Sequence, residues 1–307
     1  MGFAAVDPRF AEPNCLFWCI GAQKAGTTWL HSYLADHPQV LVPSVRKELQ
    51  YWNHVRPPFD TYGTQTTRGE MLKNRARRLA MSVLKGEEGR RKARAWAAFE
   101  RALRTQDPAH VDYANTLFAF FDGHRAVGEA SPEYALLEAE TLQEMAALSP
   151  KSRMIYIMRD PVERMLSGIR FALSRHATVT PEALDERVTL ALDDGDPHRD
   201  FWRTRYDQVI SKLDATLPRD RVAYFFYETL FSEQEIARLT EFLGVDPMPA
   251  DFERKVWVTK NREVMPSSTA MTRVKDALQP VYRFVEDRFG TELPDRWKRS
   301  FGATDVT

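Results

Sequence analysis

The residues best placed to do chemistry are a lysine between two glycines, an arginine and serine eight residues apart, and an isolated carboxylate. Gly21-Ala22-Gln23-Lys24-Ala25-Gly26-Thr27-Thr28 spells G-x-x-x-x-G-T-T. That is close to the phosphate-loop pattern G-x-x-x-x-G-K-[ST], but the lysine sits two residues before the second glycine instead of after it. Such a loop can hold a phosphate on backbone N–H groups and a helix N-terminus, with its cation approaching from elsewhere. Arg159 and Ser167 form a second set. Eight residues are a little over two helical turns, so both can reach one phosphate, the guanidinium giving paired hydrogen bonds. Together the two sets suggest a ligand with two separated phosphates. Glu48, beside Lys47, is a candidate base, with a solvated loop as the other reading. His54 and His124 are weaker base candidates.

Positioning these groups needs strands that end beside one another. Leu16 to Ile20 reads as a short buried strand, Gly21 to Gly26 as a tight loop, and Thr27 onward as a helix stopped at His37-Pro38. Gln39-Val40-Leu41-Val42 is a further strand, followed by the charged and aromatic stretch Ser44 to Trp52. Ligands sit outside the carboxyl ends of strands in an open parallel sheet, which places Lys47 and Glu48 near the phosphate loop. Ala126 to Ala130 is a strand whose Glu129 can orient the following loop or an acceptor, or cap a backbone N–H. Ser131 is read as the N-cap of one helix running past Met145 to Pro150, with Pro132 at its first position. Met154 to Met158 is the clearest buried strand, and Asp160, Pro161 and Glu163 form a capping pattern after it. Helices are predicted over Pro181 to Leu192, around Tyr206 to Leu213, over Ser232 to Leu243 with Gly244 as its stop, and from about Ala270 to Phe289. Arg221 to Glu228 is a strand. Strands alternating with helices predict an α/β protein: a P-loop-like three-layer fold with a central parallel sheet.

Composition narrows the class. The chain has 307 residues, 43% hydrophobic and 28% charged, with zero formal net charge. Nothing there points to nucleic acid. No apolar run approaches a membrane span, and Met1 to Pro13 lacks the signature of a signal peptide. Cys15 and Cys19, four apart in an extended strand, would stand roughly 13 Å from each other, too far for a disulfide. A cytoplasmic protein without disulfide or zinc is expected. Between Arg68 and Arg104 there are twelve Lys or Arg and four Asp or Glu, with apolar residues at helical spacing from Leu72 to Val83 and a second helix from about Gly89 to Leu103. This basic insert at about 60–110 reads either as a platform for an anionic acceptor or membrane surface, or as amphipathic helices with a solvated face.

Five segments in this order resemble the sulfotransferases that use 3′-phosphoadenosine 5′-phosphosulfate (PAPS), best the heparan-sulfate-type and bacterial branch. Gly21 to Thr28 resembles the 5′-phosphosulfate loop. Arg159-Asp160-Pro161 with Arg164 and Ser167 resembles the R-D-P-x-E-R-x-x-S motif for the 3′-phosphate. Gly128-Glu129-x-Ser131-Pro132-x-Tyr134 resembles G-E-x-S-P-x-Y, Lys47-Glu48-x-x-Tyr51-Trp52 resembles K-E-x-x-F-F, and Lys260-Asn261-Arg262 resembles the late K-G-R loop. The match runs from about residue 16 to 290 of a single domain over 1–307. Ala130 replaces a lysine common in heparan-sulfate enzymes, and Asn261 replaces a glycine.

The resemblance implies a cofactor site of Gln23, Lys24, Ala25, Gly26, Thr27, Thr28, Trp29, Arg159, Ser167, Lys260, Asn261 and Arg262. Trp29 or Trp257 would pack on adenine. Lys24 would stabilise the leaving phosphate and Glu48 would take the acceptor proton, with Lys47 and Glu129 on the acceptor side. It implies PAPS as donor, PAP (3′-phosphoadenosine 5′-phosphate) as product, no metal, and a small-molecule, lipid or saccharide acceptor taking the sulfuryl group on a hydroxyl or amine. It leaves room for peripheral membrane contact. Two rival functions are a P-loop kinase using ATP and Mg²⁺, which needs a lysine after the last glycine, and a nucleotide-binding regulator without turnover.

Overall fold

The structure is a computed structural model that describes residues 6–58, 86–105, 107–175, 178–193, 199–254 and 261–302. In chain order the elements are β1 (Cys15–Gly21), α1 (Thr27–Asp36), β2 (Val40–Leu41), α2 (Tyr51–Val55), α3 (Gly86–Ala102), α4 (Val111–Leu117), β3 (Ala126–Ala130), α5 (Ala139–Ala147), β4 (Ser152–Met158), α6 (Pro161–Leu173), α7 (Pro181–Leu192), α8 (Tyr206–Thr216), β5 (Val222–Phe226), α9 (Tyr227–Leu230), α10 (Glu233–Leu243), α11 (Ser268–Phe289) and α12 (Asp295–Gly302).

The five strands form one sheet in the order β2-β3-β1-β4-β5, every pair parallel. β1 lies in the middle, and all seven of its residues are buried. Covered on both faces, it reads as a continuous apolar run instead of an alternating one. Cys15 and Cys19 are free and buried, and burial pushes both thiols up to about 12. Helices flank the sheet, giving an α/β architecture: α1 packs on β2 and β3, α5 on β4, α10 on β5, and α11 across α6, α7 and α8. Among the described residues no helix is long and apolar enough to cross a membrane.

The chain leaves β1 toward β2 on one side and leaves β4 toward β5 on the other. The crevice between the carboxyl ends of β1 and β4 is therefore the topological switch point, where loops diverge and a ligand can enter. The β1–β4 register shifts between Cys19 and Gly21, as β1 gives way to the glycine loop.

Local chemistry accounts for most boundaries. The Asp160 side chain accepts from the Glu163 N–H, and Pro161 opens α6. Ser232 caps α10, and Gly244 ends it at a φ of 68°. One expectation fails. The helix predicted from Ser131 to Pro150 is two pieces, a 3₁₀ stretch Pro132–Leu136 and α5, with Leu137 and Glu138 extended between them. Ser131 does stand at the N-cap of the 3₁₀ stretch, with Pro132 after it, but its side chain does not cap: the hydroxyl donates to Glu129 Oε2 at 2.7 Å and accepts from the Gln50 N–H at 3.1 Å. The Gln50 N–H has taken the hydroxyl oxygen that the helix start would have used, and the buried carboxylate takes its proton. α4 was not anticipated. The helix predicted over Leu72 to Val83 lies outside the described residues, whereas α3 falls close to the Gly89 to Leu103 prediction.

Candidate active site

A cleft of about 950 Å³ opens at the switch point. Its floor is the loop from β1 to α1. Lys24 adopts a left-handed backbone with φ of 69°, and Gly26, at φ of 86°, stands at the N-terminus of α1. A side chain at Gly26 would be strained and would meet the Tyr227 ring at 3.0 Å. No side chain caps α1, and its first turn holds no acid. The first N–H groups of a helix lack intrahelical partners, so this end offers donors and a positive dipole to an anion. Thr27 is buried and Thr28 half-buried, and both line the cleft.

The Lys24 ammonium sits 4.5 Å over the Phe171 ring. Burial, then the charges of Arg159 and Arg164, push its pKa down to about 8, with Asp200 opposing. It is a cation held ready to meet negative charge, since an anionic ligand would relieve both effects.

The facing wall comes from the end of β4 and from α6. Arg159 is nearly enclosed, 11% exposed. One guanidinium nitrogen donates to the Lys24 carbonyl at 3.3 Å, the other to Glu163 at 2.9 Å, and the plane lies 5.0 Å over Tyr227. The Tyr206 hydroxyl donates to the Arg159 carbonyl at 2.8 Å and holds its backbone. Ser167 and Phe171 on α6, and Arg175 just past its end, recur at four-residue spacing and line the same wall. Arg164 turns the other way. Fully buried, it donates to Asp200 Oδ1 at 2.8 Å, the Asp200 carbonyl at 2.6 Å and Thr204 at 2.7 Å. Gly168 makes room for this: a Cβ there would lie 2.1 Å from Asp200 Oδ1.

Glu48 lies on the opposite rim, one-third exposed, with Lys47 at 2.8 Å and the Gln50 amide at 3.4 Å on its two oxygens. Trp29 lines the cleft through its indole, stacked on Tyr33 and Phe252 and edge-on to Phe231. Its N–H is anchored to the Asp251 carbonyl at 3.1 Å.

The structure thus gathers Gln23, Lys24, Gly26, Thr27, Thr28, Trp29, Lys47, Glu48, Arg159, Ser167 and Arg262 around one cleft. Three predicted site residues stand elsewhere. Ala25 is fully buried and outside the lining, so it contributes backbone only. Asn261 does not line the cleft; its φ of 58° shows the backbone taking the conformation that the glycine it replaces would adopt freely. Glu129 is fully buried behind the cleft, because three hydroxyls and a backbone amide enclose it. Its placement on the acceptor side is corrected accordingly. Lys260 and Trp257 lie outside the described residues. Neither His54 nor His124 lines the cleft.

Sequence reasoning missed Phe171, Arg175, Tyr227, Phe231 and Phe252, as well as the pair formed by Arg203 and Glu133 at 2.8 Å. Phe171 and Arg175 carried a usable signal, their i+4 and i+8 spacing from Ser167. The others come from distant segments and carried none.

Chemically, the cleft offers a helix terminus and one lysine at one point, an arginine and a serine at another, aromatic faces between distant loops, and a carboxylate on the rim. Comparison with known proteins agrees. The sequence pattern described as the sulfotransferase family matches residues 17–249. The structure is similar to that of a sulfotransferase from Alicyclobacillus acidocaldarius, with a TM-score of 0.61 at 20% identity, covering 94% of this chain and 99% of that one. It is also similar to the sulfotransferase domain of the Synechococcus PCC 7002 olefin synthase, with a TM-score of 0.51 at 19% identity, covering 95% and 100%. No curated protein sequence matches this chain significantly. With a family match over most of its length, this chain belongs to the sulfotransferase family.

Proposed function

We propose that the protein transfers a sulfuryl group from PAPS to a hydroxyl or amine of a small-molecule, lipid or saccharide acceptor. The observation that carries this reading is the placement of Lys24: a desolvated ammonium on a phosphate-type loop, facing the same cleft as Arg159 and Ser167. The chain's residues suit such a donor. An uncapped helix terminus and a half-buried lysine fit a 5′-phosphosulfate, Arg159 with Ser167 and Arg262 fits a 3′-phosphate, and the Trp29 and Phe252 surfaces fit a purine.

PAPS supplies the sulfuryl group. Thr27, Thr28 and the α1 N-terminus hold the 5′-phosphate. Lys24 meets the charge that builds on the oxygen between phosphorus and sulfur as that bond breaks, the kind of electrostatic stabilisation that contributes most in a dry site. Glu48, kept on the rim by Lys47 and Gln50, takes the proton lost by the acceptor. Positioned bases of this kind typically contribute roughly 10²–10⁴-fold.

The deciding experiment is turnover of labelled PAPS with a panel of alcohols, amines, sugars and amphiphiles, read as a mass increase of one sulfuryl group. Transfer without added Mg²⁺, lost in Lys24→Ala, supports the reading. Activity restricted to ATP with Mg²⁺ would establish the kinase instead. PAP binding with no turnover across the panel would favour the regulator.

A further inference from the structure

We propose that Glu129 is the positioning residue for Glu48, a buried anion that fixes the backbone from which the candidate base projects. The role of Glu48 rests on the sulfuryl-transfer reading; the anchoring of its loop does not.

The proton directions around Glu129 follow from partners that can only donate. The Trp18 indole N–H donates to the Tyr113 hydroxyl at 3.0 Å, so that hydroxyl's own proton goes to Glu129 Oε1, 2.7 Å away. The Trp52 backbone N–H donates to the Tyr134 hydroxyl at 3.4 Å, which passes its proton to Oε1 at 2.9 Å. The Gln50 N–H donates to Ser131, which passes its proton to Oε2 at 2.7 Å. The Leu49 N–H donates to Oε2 directly at 3.2 Å. Four donors converge on two oxygens, and each hydroxyl is already accepting from an N–H. A protonated acid or an amide would set a donor against a donor. Burial pushes the Glu129 carboxyl above its ordinary range, and hydrogen bonds from Ser131, Tyr113 and Tyr134 oppose it.

The consequence falls on the Glu48 loop. One carboxylate collects the backbone N–H groups of residues 49, 50 and 52, the first directly and the others through one hydroxyl each. These are the residues immediately after Glu48. Among them is Gln50, whose left-handed φ of 53° turns its amide back onto Glu48 Oε2. The β3 end therefore sets where Glu48 points, although Glu129 itself never reaches the cleft.

Amide hydrogen exchange on the ligand-free protein tests the anchoring. In Glu129→Gln, exchange at Leu49, Gln50 and Trp52 should rise about tenfold or more, while β1 and β4 amides keep their protection. If Glu129→Gln does not fold, Ser131→Ala leaves the carboxylate in place and should speed exchange at Gln50 but not at Leu49. Unchanged protection at 49–52 in the folded variant would overturn the proposal.

A kinetic arm separates positioning from general support, using PAP release from PAPS with water as acceptor. Glu129→Gln should lower kcat with the PAPS KM unchanged, and should cost nothing further in a Glu48→Gln background. Additive losses would overturn the link to Glu48. Wild-type protein that neither binds PAP nor releases it would instead sink the sulfuryl-transfer reading, leaving the exchange result to stand by itself.

Discussion

The cleft is bounded by two strand–turn–helix units on adjacent parallel strands, and they solve one problem in opposite ways. The β1–α1 unit leaves its helix N-terminus uncapped, with a left-handed glycine at the cap and no acid in the first turn. The β4–α6 unit closes its helix terminus from within: Asp160 takes the Glu163 N–H, and Glu163 adds a second carboxylate to the first turn. An anion approaching α6 end-on meets a terminus already satisfied and negatively charged. Under the proposed function the second unit grips with side chains instead, Arg159 at the strand end and Ser167 two turns along. Two identical topologies can thus hold two charged groups by different means, the backbone and dipole on one side and a guanidinium on the other. Under the same reading the asymmetry would orient the ligand, because of the two units only the first carries a lysine beside its open helix end.

The sharpest way to break this contrast is Lys24→Ala. If the first unit stabilises charge as the donor breaks, kcat should fall by roughly 10²–10³-fold, in the range seen when one oxyanion-type donor is removed. PAP binding, measured by calorimetry, should weaken far less. Equal losses in both would make Lys24 a binding group only.

Arg159→Ala probes the second unit. It should weaken PAP by about 10–100-fold, as expected for a lost charged hydrogen bond. It should leave adenosine 5′-monophosphate, which lacks the 3′-phosphate, much less affected. A variant that keeps its full preference for PAP would show that the two units do not divide the ligand as argued.

The first unit also carries a titrating group. Lys24 has its pKa pushed down to about 8, and the charged form is the useful one. kcat/KM for PAPS should be level below that pH and fall about tenfold per unit above it, because this parameter reports the free protein. The bound anionic donor raises the lysine pKa, so the kcat profile should break at higher pH. A kcat/KM profile level through pH 9.5 would remove Lys24 from the charge-stabilising role.

The smallest expected effect concerns the closed helix end. Asp160→Ala should cost about 0.5–2 kcal/mol of stability, the usual range for a lost N-cap, read from the denaturation midpoint in urea. PAP affinity should change by less than about twofold. A large loss of affinity would mean that the α6 terminus contributes to binding after all.

Both units were legible in the sequence because each is local. An apolar run, a glycine pair and a threonine step specify the first; a buried strand followed by Asp160 and Pro161 specifies the second. The parallel sheet followed from alternation of the elements. Glu129 was located on its strand but misplaced in space. Its partners Tyr113, Ser131, Tyr134 and Leu49 come from three separate segments, and no periodicity marks a buried carboxylate. Ser131 holds the N-cap position the sequence predicts, but its hydroxyl oxygen accepts from the Gln50 N–H of a distant segment instead of from its own helix start. The aromatic rim of Tyr227, Phe231 and Phe252 was illegible for a related reason: hydrophobic spacing reports which face of an element is apolar, not which distant loop it will meet.

The Arg164 contacts bear on how the protein admits an acceptor. Ser167 and Arg164 share α6, and Arg164 ties that helix to the 200–204 segment carrying Asp200 and Arg203. Pulling these apart would strand a fully buried guanidinium without its counter-charge, a large penalty. The Ser167 wall and the Arg203 wall therefore travel as one rigid jaw, with Gly168 as the clearance that lets them seat. Enlarging the site for bulkier acceptors should leave this jaw alone, since even a methyl group at position 168 would lie 2.1 Å from Asp200 Oδ1.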